Sequence, residues 1–387
     1  MQKKLGQYFT TNIILKEKIY NFIQNNPLNI LEPAVGRGDL VEYILSKKTS
    51  PEIKFDMYEI DKKIEPLSAI KKDDIYYCDF LNSDITKKYA TIIGNPPYIK
   101  HKTGNLYIKF VEKCCNLLDD NGELIFIVPS DFFKLTSASR VLEDMLATGT
   151  ITHVFYPNDE QMFDNAAIDI LIFRYCKNIN LPKKVLFNDK EMSLINSNGL
   201  ITFEETQLEL SKKMKDYFNI YVGLVSGKEE VYKNEELGNI DVLNSENSID
   251  RYIFIKEFPT DNNELNKHLL SHKSALMNRG IRNFDEENWF EFGAARNMET
   301  IENHMGQDCL YIYTITRKTE VAFKGDVNYF GGNLIIMIPK SDIDLDKFKD
   351  YLNSTQFKKN FLFSNRFKIG QRQLSNSYVP DFLFNSV

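Results

Sequence analysis

Cysteine is scarce: the 387-residue chain has five, Cys78, Cys114, Cys115, Cys176 and Cys309, and no two have CxxC spacing. That pattern argues against a disulfide framework, offers no zinc or other metal site, and fits a reducing compartment. No stretch approaches 18 consecutive apolar residues, so no membrane span is expected, and the opening MQKKLGQYFT lacks the apolar core of a secretion signal. There is no internal repeat and no low-complexity tract. Nor is there an excess of positive charge: the net charge is −6, which excludes a protein basic all over but leaves room for one basic face. A cytoplasmic protein is expected, or one inside a host cell if the source is viral.

What is present is ordinary globular composition, 43% hydrophobic and 26% charged. A chain this long is expected to split into two domains, with bounds 1–212 and 213–387. The first half alternates strands and helices. NILEPA (29–34), KFDMYEID (54–61), DIYYCDFL (74–81), YATIIG (89–94) and ELIFIVP (123–129) read as strands. VGRGDLVEYILSKK and NLYIKFVEKCCNLLDDNG (105–122) carry helical spacing, and Asn121-Gly122 ends the second. HVFYP (153–157) and IDILIFRYCK (168–177) add two strands, expected antiparallel at one edge. The rhythm predicts a Rossmann-like, doubly wound, mostly parallel α/β sheet. It breaks between about 178 and 220. Beyond it YVGLVSGKEEVY, RYIFIKEF, CLYIYTIT and FGGNLIIMIPK read as strands and LDKFKDYLNSTQFKKNFLF as helix, so an α+β second domain is expected.

Ligands of such sheets bind at the carboxyl ends of the strands. After the first strand comes EPAVGRG, where Gly36 and Gly38 let a ligand approach the backbone. The dinucleotide fingerprint needs a third glycine, and that position is Val41. Glu59 ends the second strand, 21 residues past Gly38, a spacing that suits a carboxylate bonding ribose hydroxyls. Asp79-Phe80 ends the third, where an acid can accept from an adenine amino group. Adenosine without a required pyrophosphate points to S-adenosylmethionine. After the fourth strand comes Asn95-Pro96-Pro97-Tyr98. Asn95 and Pro96 offer rigid carbonyl acceptors, which suit an –NH₂ group with two protons. Tyr98 offers a face on which a planar ring can stack. An adenine amine held this way regains its lone pair and becomes a nucleophile toward a methyl donor.

In this order the motifs LGQYFT, LEPAVGRG, YEID, CDF, GNPPY, NLYIKFVEK, ELIFIVPSDFF and MFDNAAIDILIFRY resemble the TaqI-like, gamma-class N6-adenine DNA methyltransferases. The catalytic resemblance spans residues 1–178. A looser one, in VGLVSGKEEVY, NWFEFGAARN and RFKIGQRQLSN, is to the family's target-recognition domain. The resemblance implies that Tyr8 and Thr10 hold the methionine end of the cofactor and that Glu32, Ala34 and Gly36 line its site. It implies that Glu59 binds the ribose, that Asp79 and Phe80 meet its adenine, with Phe110 packed on that ring, and that Asn95 borders cofactor and base alike. Asn95, Pro96 and Tyr98 would take the target base, with Phe163 as a second aromatic against it. Asp164 departs from the pattern, since relatives often have proline there. The target adenine would be flipped out of double-stranded DNA.

From Tyr351 to Pro380 there is no acidic residue. Within that span Arg366, Lys368, Gln371 and Arg372 are candidates for DNA contact, as are Arg279, Arg282 and Arg296 farther up the chain. A monomer is expected, with a cognate restriction endonuclease, if one exists, acting separately. Alternatives are a methyltransferase acting on protein glutamine or RNA adenine, and a catalytically silent DNA-binding protein.

Overall fold

A computed structural model describes residues 8–47, 53–101, 104–164, 167–205, 212–380 and 383. It divides into two compact units, Met1–Leu208 and Glu209–Val387.

The first unit is built on one ten-stranded sheet. Its strands are β1 (Asn29–Glu32), β2 (Lys54–Glu59), β3 (Ile75–Tyr77), β4 (Tyr89–Gly94), β5 (Leu118–Pro129), β6 (Thr150–Phe155), β7 (Ile170–Cys176), β8 (Lys184–Phe187), β9 (Lys190–Ser197) and β10 (Leu200–Glu204). They lie in the order β10-β9-β8-β6-β7-β5-β4-β1-β2-β3. The run from β3 to β5 is parallel throughout. Strand order reverses beside β1, so the loops after β1 and β4 open toward each other there, as in other doubly wound sheets.

Alternation along β5 shows why the sheet is covered on both sides. Leu124, Phe126 and Val128 join one core cluster, while Ile125 and Ile127 join another. On the first face lie α3 (Leu106–Leu117), through Phe110, Val111 and Cys114, and α4 (Ser139–Thr148), through Val141, Leu142 and Met145. On the second lie α1 (Ile13–Phe22), through Leu15, Ile19 and Phe22, and α2 (Asp39–Ser46), through Leu40 and Ile44.

Several expectations need correction. The helix read over 105–122 ends at Leu117, just before β5, not at Asn121-Gly122. The antiparallel strand is not at an edge: β7 pairs with β5 on one side and β6 on the other. All seven of its residues are buried, and a strand with apolar side chains on both faces finds that cover only inside a sheet. Residues 178–204, read as a break, extend the sheet instead, β8 running parallel to β6 and then turning through β9 and β10.

At the amino end of the sheet a buried ion pair joins β5 to β7, Arg174 Nε donating to Glu123 Oε2 at 2.8 Å. Glu123 also accepts from Thr91 Oγ1 and from the backbone N–H groups of Gln24 and Asn25, so one carboxylate ties the end of α1 to three strands.

The second unit has a four-stranded antiparallel sheet in the order β11 (Phe218–Val222), β17 (Leu334–Pro339), β14 (Asp308–Tyr313), β16 (Ala322–Asp326). Beside it are a hairpin, β12 (Ile240–Ser245) and β13 (Ser248–Tyr252), and a small three-stranded ribbon. The ribbon joins β15 (Ile315–Thr316), β18 (Leu362–Phe363) and β19 (Arg366–Lys368). The longer helices of the unit include α5 (Asn263–Ser271), α6 (Leu345–Asn353) and α7 (Gln371–Asn376). YVGLVSGKEEVY is a strand only as far as Val222; residues 229–232 form a helical turn instead.

Candidate active site and candidate nucleic-acid interface

The tips of β1, β2 and β4, with the loop after β3, meet around a cavity of about 290 Å³. Tyr8, Ala34, Gly36, Glu59, Asp79, Phe80, Asn95 and Phe110 all line it. Of the cofactor residues implied by the motifs, Thr10 and Glu32 do not. Among the described residues no lysine or arginine lines the cavity.

Gly36 has φ +57°, a left-handed conformation that favours glycine, and its N–H donates to Glu59 Oε2 at 2.9 Å. Glu59 Oε1 accepts from Asp61 N at 2.8 Å. The carboxylate is therefore oriented at both oxygens and retains lone pairs for further donors. Asp79 caps a short turn by accepting from Leu81 N at 3.0 Å. Phe80 and Phe110 stack with centroids 5.5 Å apart and 19° between their planes. Lys113, which the sequence reading missed, holds this turn in place: Nζ donates to the carbonyls of Phe80 at 2.5 Å and Ser83 at 2.6 Å. Its spacing from Phe110, three residues along a helix, was the available signal.

Glu32 is 2% exposed, and its Oε2 is buried with no hydrogen-bond partner. Burial first, and then the nearby charges of Asp39 and Glu59, push its carboxyl well above the usual range. A cluster of acids behind an aromatic-lined cavity suits a ligand carrying positive charge.

Asn95 directly follows β4, whose last four residues are all buried. Its Nδ2 donates to Tyr8 O at 2.7 Å and to Thr10 Oγ1 at 3.2 Å, and its Oδ1 accepts from the Tyr98 hydroxyl at 2.6 Å. Thr10 thus acts on Asn95 rather than on the cavity. Pro96 is buried and is not among the residues lining the cavity. Burial, helped by Tyr107 and Tyr8, raises the Tyr98 phenol well above its ordinary value, so it remains a donor.

The aromatic side of the site has a third member. Tyr8 stacks on Tyr98 with centroids 5.6 Å apart and lies 5.6 Å from Phe163, while Tyr98 and Phe163 are 6.4 Å apart. Tyr98 and Phe163 are brought together, but the ring of Tyr8 covers one Tyr98 face. Asp164, where the family pattern is broken, accepts from Thr11 Oγ1 at 2.7 Å and so helps hold the 8–12 segment in place. Asn165 and Ala166 of the same motif lie outside the described residues.

In the second unit the expected DNA contacts divide. Arg279 is a correction: it is 5% exposed, and its guanidinium donates to the carbonyls of Leu276, Ser226 and Trp289 and to the Tyr232 hydroxyl. Burial lowers its pKa, and the group serves as an internal strut. Gln371 is similarly committed, its Nε2 donating to Ile220 O at 2.6 Å. Arg282 is exposed but paired with Glu291. Arg296 and Lys368 are exposed, and Arg366 and Arg372 are half-buried.

Residues 40–163 match the family model described as the Eco57I restriction-modification methylase. The type II methyltransferase M.HincII of Haemophilus influenzae is 25% identical over 224 residues, 52% of this chain and 43% of that protein. The chain therefore matches less than half the length of that relative. The ribosomal RNA small subunit methyltransferase A of Mycoplasma genitalium is 26% identical over 263 residues, 58% of this chain and 97% of that protein. Among solved structures, the type IIL restriction-modification enzyme MmeI in complex with DNA has a TM-score of 0.57 at 12% identity, covering 93% of this chain and 63% of that one. This likeness extends the shared fold across both units. The motifs resemble the TaqI-like, gamma-class DNA methyltransferases, and the match over residues 40–163 is to a restriction-modification methylase.

Proposed function

We propose that the chain is a site-specific, adenine-specific DNA methyltransferase, using S-adenosylmethionine to methylate the N6 amine of an adenine turned out of double-stranded DNA. The observation that carries this reading is the placement of Asn95-Pro96-Pro97-Tyr98. The tetrapeptide stands at the tip of a buried strand, and its Asn95 and Pro97 line a cavity that also presents Glu59, Asp79 and Phe110.

The residues fit the cofactor. Glu59 is aimed by Gly36 and Asp61 and retains capacity for ribose hydroxyls. Asp79 and the Phe80–Phe110 pair suit the amino edge and the face of an adenine. The uncompensated carboxyl of Glu32 suits a ligand bearing an ammonium and a sulfonium charge. When bound, the cofactor supplies an electrophilic methyl group on sulfur.

The chain's own work is done at the amine. Asn95 Oδ1 and the Pro96 carbonyl accept its two protons and favour a pyramidal nitrogen whose lone pair is available. Tyr98 supports the ring face, and Phe163 closes on its other side. Catalysis on this account is positioning and electrostatic stabilisation, without a covalent intermediate. Asn95 must give up its bond from Tyr98, and Tyr8 must leave the face it covers, before a base can take their place.

The type II methyltransferase relative and the restriction-modification family match favour DNA as substrate, in keeping with a modification enzyme that marks host or self DNA. A methyl acceptor in RNA is the second reading, favoured by the match along 97% of the ribosomal RNA methyltransferase. The test is to incubate the protein with labelled S-adenosylmethionine and either mixed-sequence duplex DNA or structured RNA, then map the modified bases. N6-methyladenine at a fixed DNA sequence is expected. Label in RNA alone, or on another base, would replace the reading.

A further inference from the structure

The small ribbon of the second unit brings together charges that are far apart in the chain. β19 pairs with β18 on one side and β15 on the other, with Ile315 opposite Lys368 and Phe363 opposite Arg366. Phe367, between Arg366 and Lys368, is 1% exposed and packs into the core with Phe361 and Ile369. Period-two alternation therefore turns Arg366 and Lys368 to the opposite, outer face. Ile315 shares that face and is 46% exposed. Arg317 and Lys318 come after Thr316, at the end of that strand, and both are exposed.

The loop carrying them is held at several points. Thr314 N donates to Asn333 O at 2.8 Å, Val321 N to Asn353 Oδ1 at 2.7 Å, and Lys358 Nζ to Thr319 O at 2.8 Å. Lys318 lies 4.5 Å from the Tyr313 ring centroid. A cationic face is thus fixed on a rigid base in a chain whose net charge is −6.

The turn between β18 and β19 is Ser364-Asn365, with φ +45° and +61°. Two successive left-handed residues make the tight hairpin turn that usually recruits glycine. Here the exposed second position keeps an amide side chain instead.

We propose that this ribbon is the element that engages duplex DNA: Arg317, Lys318 and Lys368 on backbone phosphates, and Asn365 at the tip on a base edge. The proposal rests on the DNA-methyltransferase reading and names how that substrate is gripped. A narrow β-ribbon fits the major groove, and an asparagine amide can donate and accept toward adenine N7 and N6 together. Neutralised phosphates release counterions and make affinity salt-dependent.

Asn365→Gly is the discriminating variant, because glycine keeps the left-handed turn and deletes only the amide. It is expected to melt like wild type and to bind S-adenosylmethionine and mixed-sequence duplex with unchanged affinity. Methylation at the sites mapped for wild type should fall roughly tenfold or more, with relaxed preference at one base pair. Arg317→Ala/Lys318→Ala should make the slope of log affinity against log salt shallower by about 2. Wild-type rate and site preference in Asn365→Gly would overturn the tip's role, and an unchanged salt slope in the double variant would overturn the phosphate contacts. If wild type methylates no DNA yet loses duplex affinity through the double variant, the phosphate contacts stand and the methyltransferase reading falls. If the double variant loses RNA affinity and no duplex affinity, the assignment to DNA is overturned.

Discussion

Asn95→Ala isolates the proposed acceptor, and its cost can be worked from the contacts. The side chain makes three hydrogen bonds, at 2.7, 3.2 and 2.6 Å, to Tyr8 O, Thr10 Oγ1 and the Tyr98 hydroxyl. At roughly 0.5–1.5 kcal/mol net for each, truncation should cost the first unit about 2–4 kcal/mol. For a unit of about 200 residues that is a melting shift of roughly 4–15 °C, so the variant should still fold at 20 °C. Its effect on methyl transfer should be larger than stability explains, because removing one preorganised dipole at a reacting centre costs about 10²–10³ in rate. Asn95→Asp is the companion, since it keeps an oxygen acceptor for the amine while losing both donor bonds. The assay is single-turnover transfer of labelled methyl at saturating cofactor and DNA. Cofactor affinity by calorimetry should stay within a few-fold of wild type. If folded Asn95→Ala transfers methyl within tenfold of wild type, the two-acceptor mechanism is refuted.

Tyr8→Ala should open the covered face of Tyr98. Two ring pairs worth about 0.5–1.5 kcal/mol each must be given up before a base can bind there, so KM for DNA should fall several-fold at saturating cofactor with kcat little changed; a raised KM would mean that Tyr8 holds the base instead. Arg279→Ala should destabilise the second unit by roughly 2–4 kcal/mol, since it leaves buried carbonyls unpaired, and it should not alter the salt slope of DNA binding by the folded protein. A shallower slope would return Arg279 to the interface. His153, next to Arg174 and half-buried, has its pKa lowered to about 4 by burial and by that positive charge. Against an unfolded value near 6.5, the stability this contributes is present above about pH 6.5 and lost as pH falls toward 4. Denaturation midpoints between pH 7 and 4.5 should therefore flatten in His153→Gln, and equal slopes in the two proteins would remove His153 from the acid response.

The first unit was legible because its chemistry sits where strand periodicity stops. Polar residues at or just past the carboxyl ends of the parallel strands break their apolar positions, so Glu59, Asp79 and Asn95 stood out against Met57, Ile75 and Ile93. The position of β7 was not legible. Its sequence, buried along its whole length, announces two covered faces but not which strands flank it. β8 to β10 were missed for the opposite reason. In β10 Leu200, Ile201 and Phe203 are buried, but β8 is short and both β8 and β9 are largely exposed or half-buried, and their polar positions read as turns until a neighbouring edge supplies hydrogen bonds.

Basic residues in the second unit show where composition stops being informative. Arg279, Arg282 and Arg366 are equivalent as letters. Arg279 is buried because carbonyls of Ser226, Leu276 and Trp289, from three separate segments, converge on one guanidinium, and nothing local in MNRGIRNF reports that convergence. Arg282 meets Glu291. Arg366 is turned outward by Phe367, whose burial is worth about 1.5–3 kcal/mol and sets the facing of the strand. The same anchoring carries Arg317 and Lys318 to a place that their own neighbours, Thr316 and Thr319, do not suggest. A basic face in a net acidic chain is thus made by apolar residues, which decide which arginines reach the surface and which become part of the core.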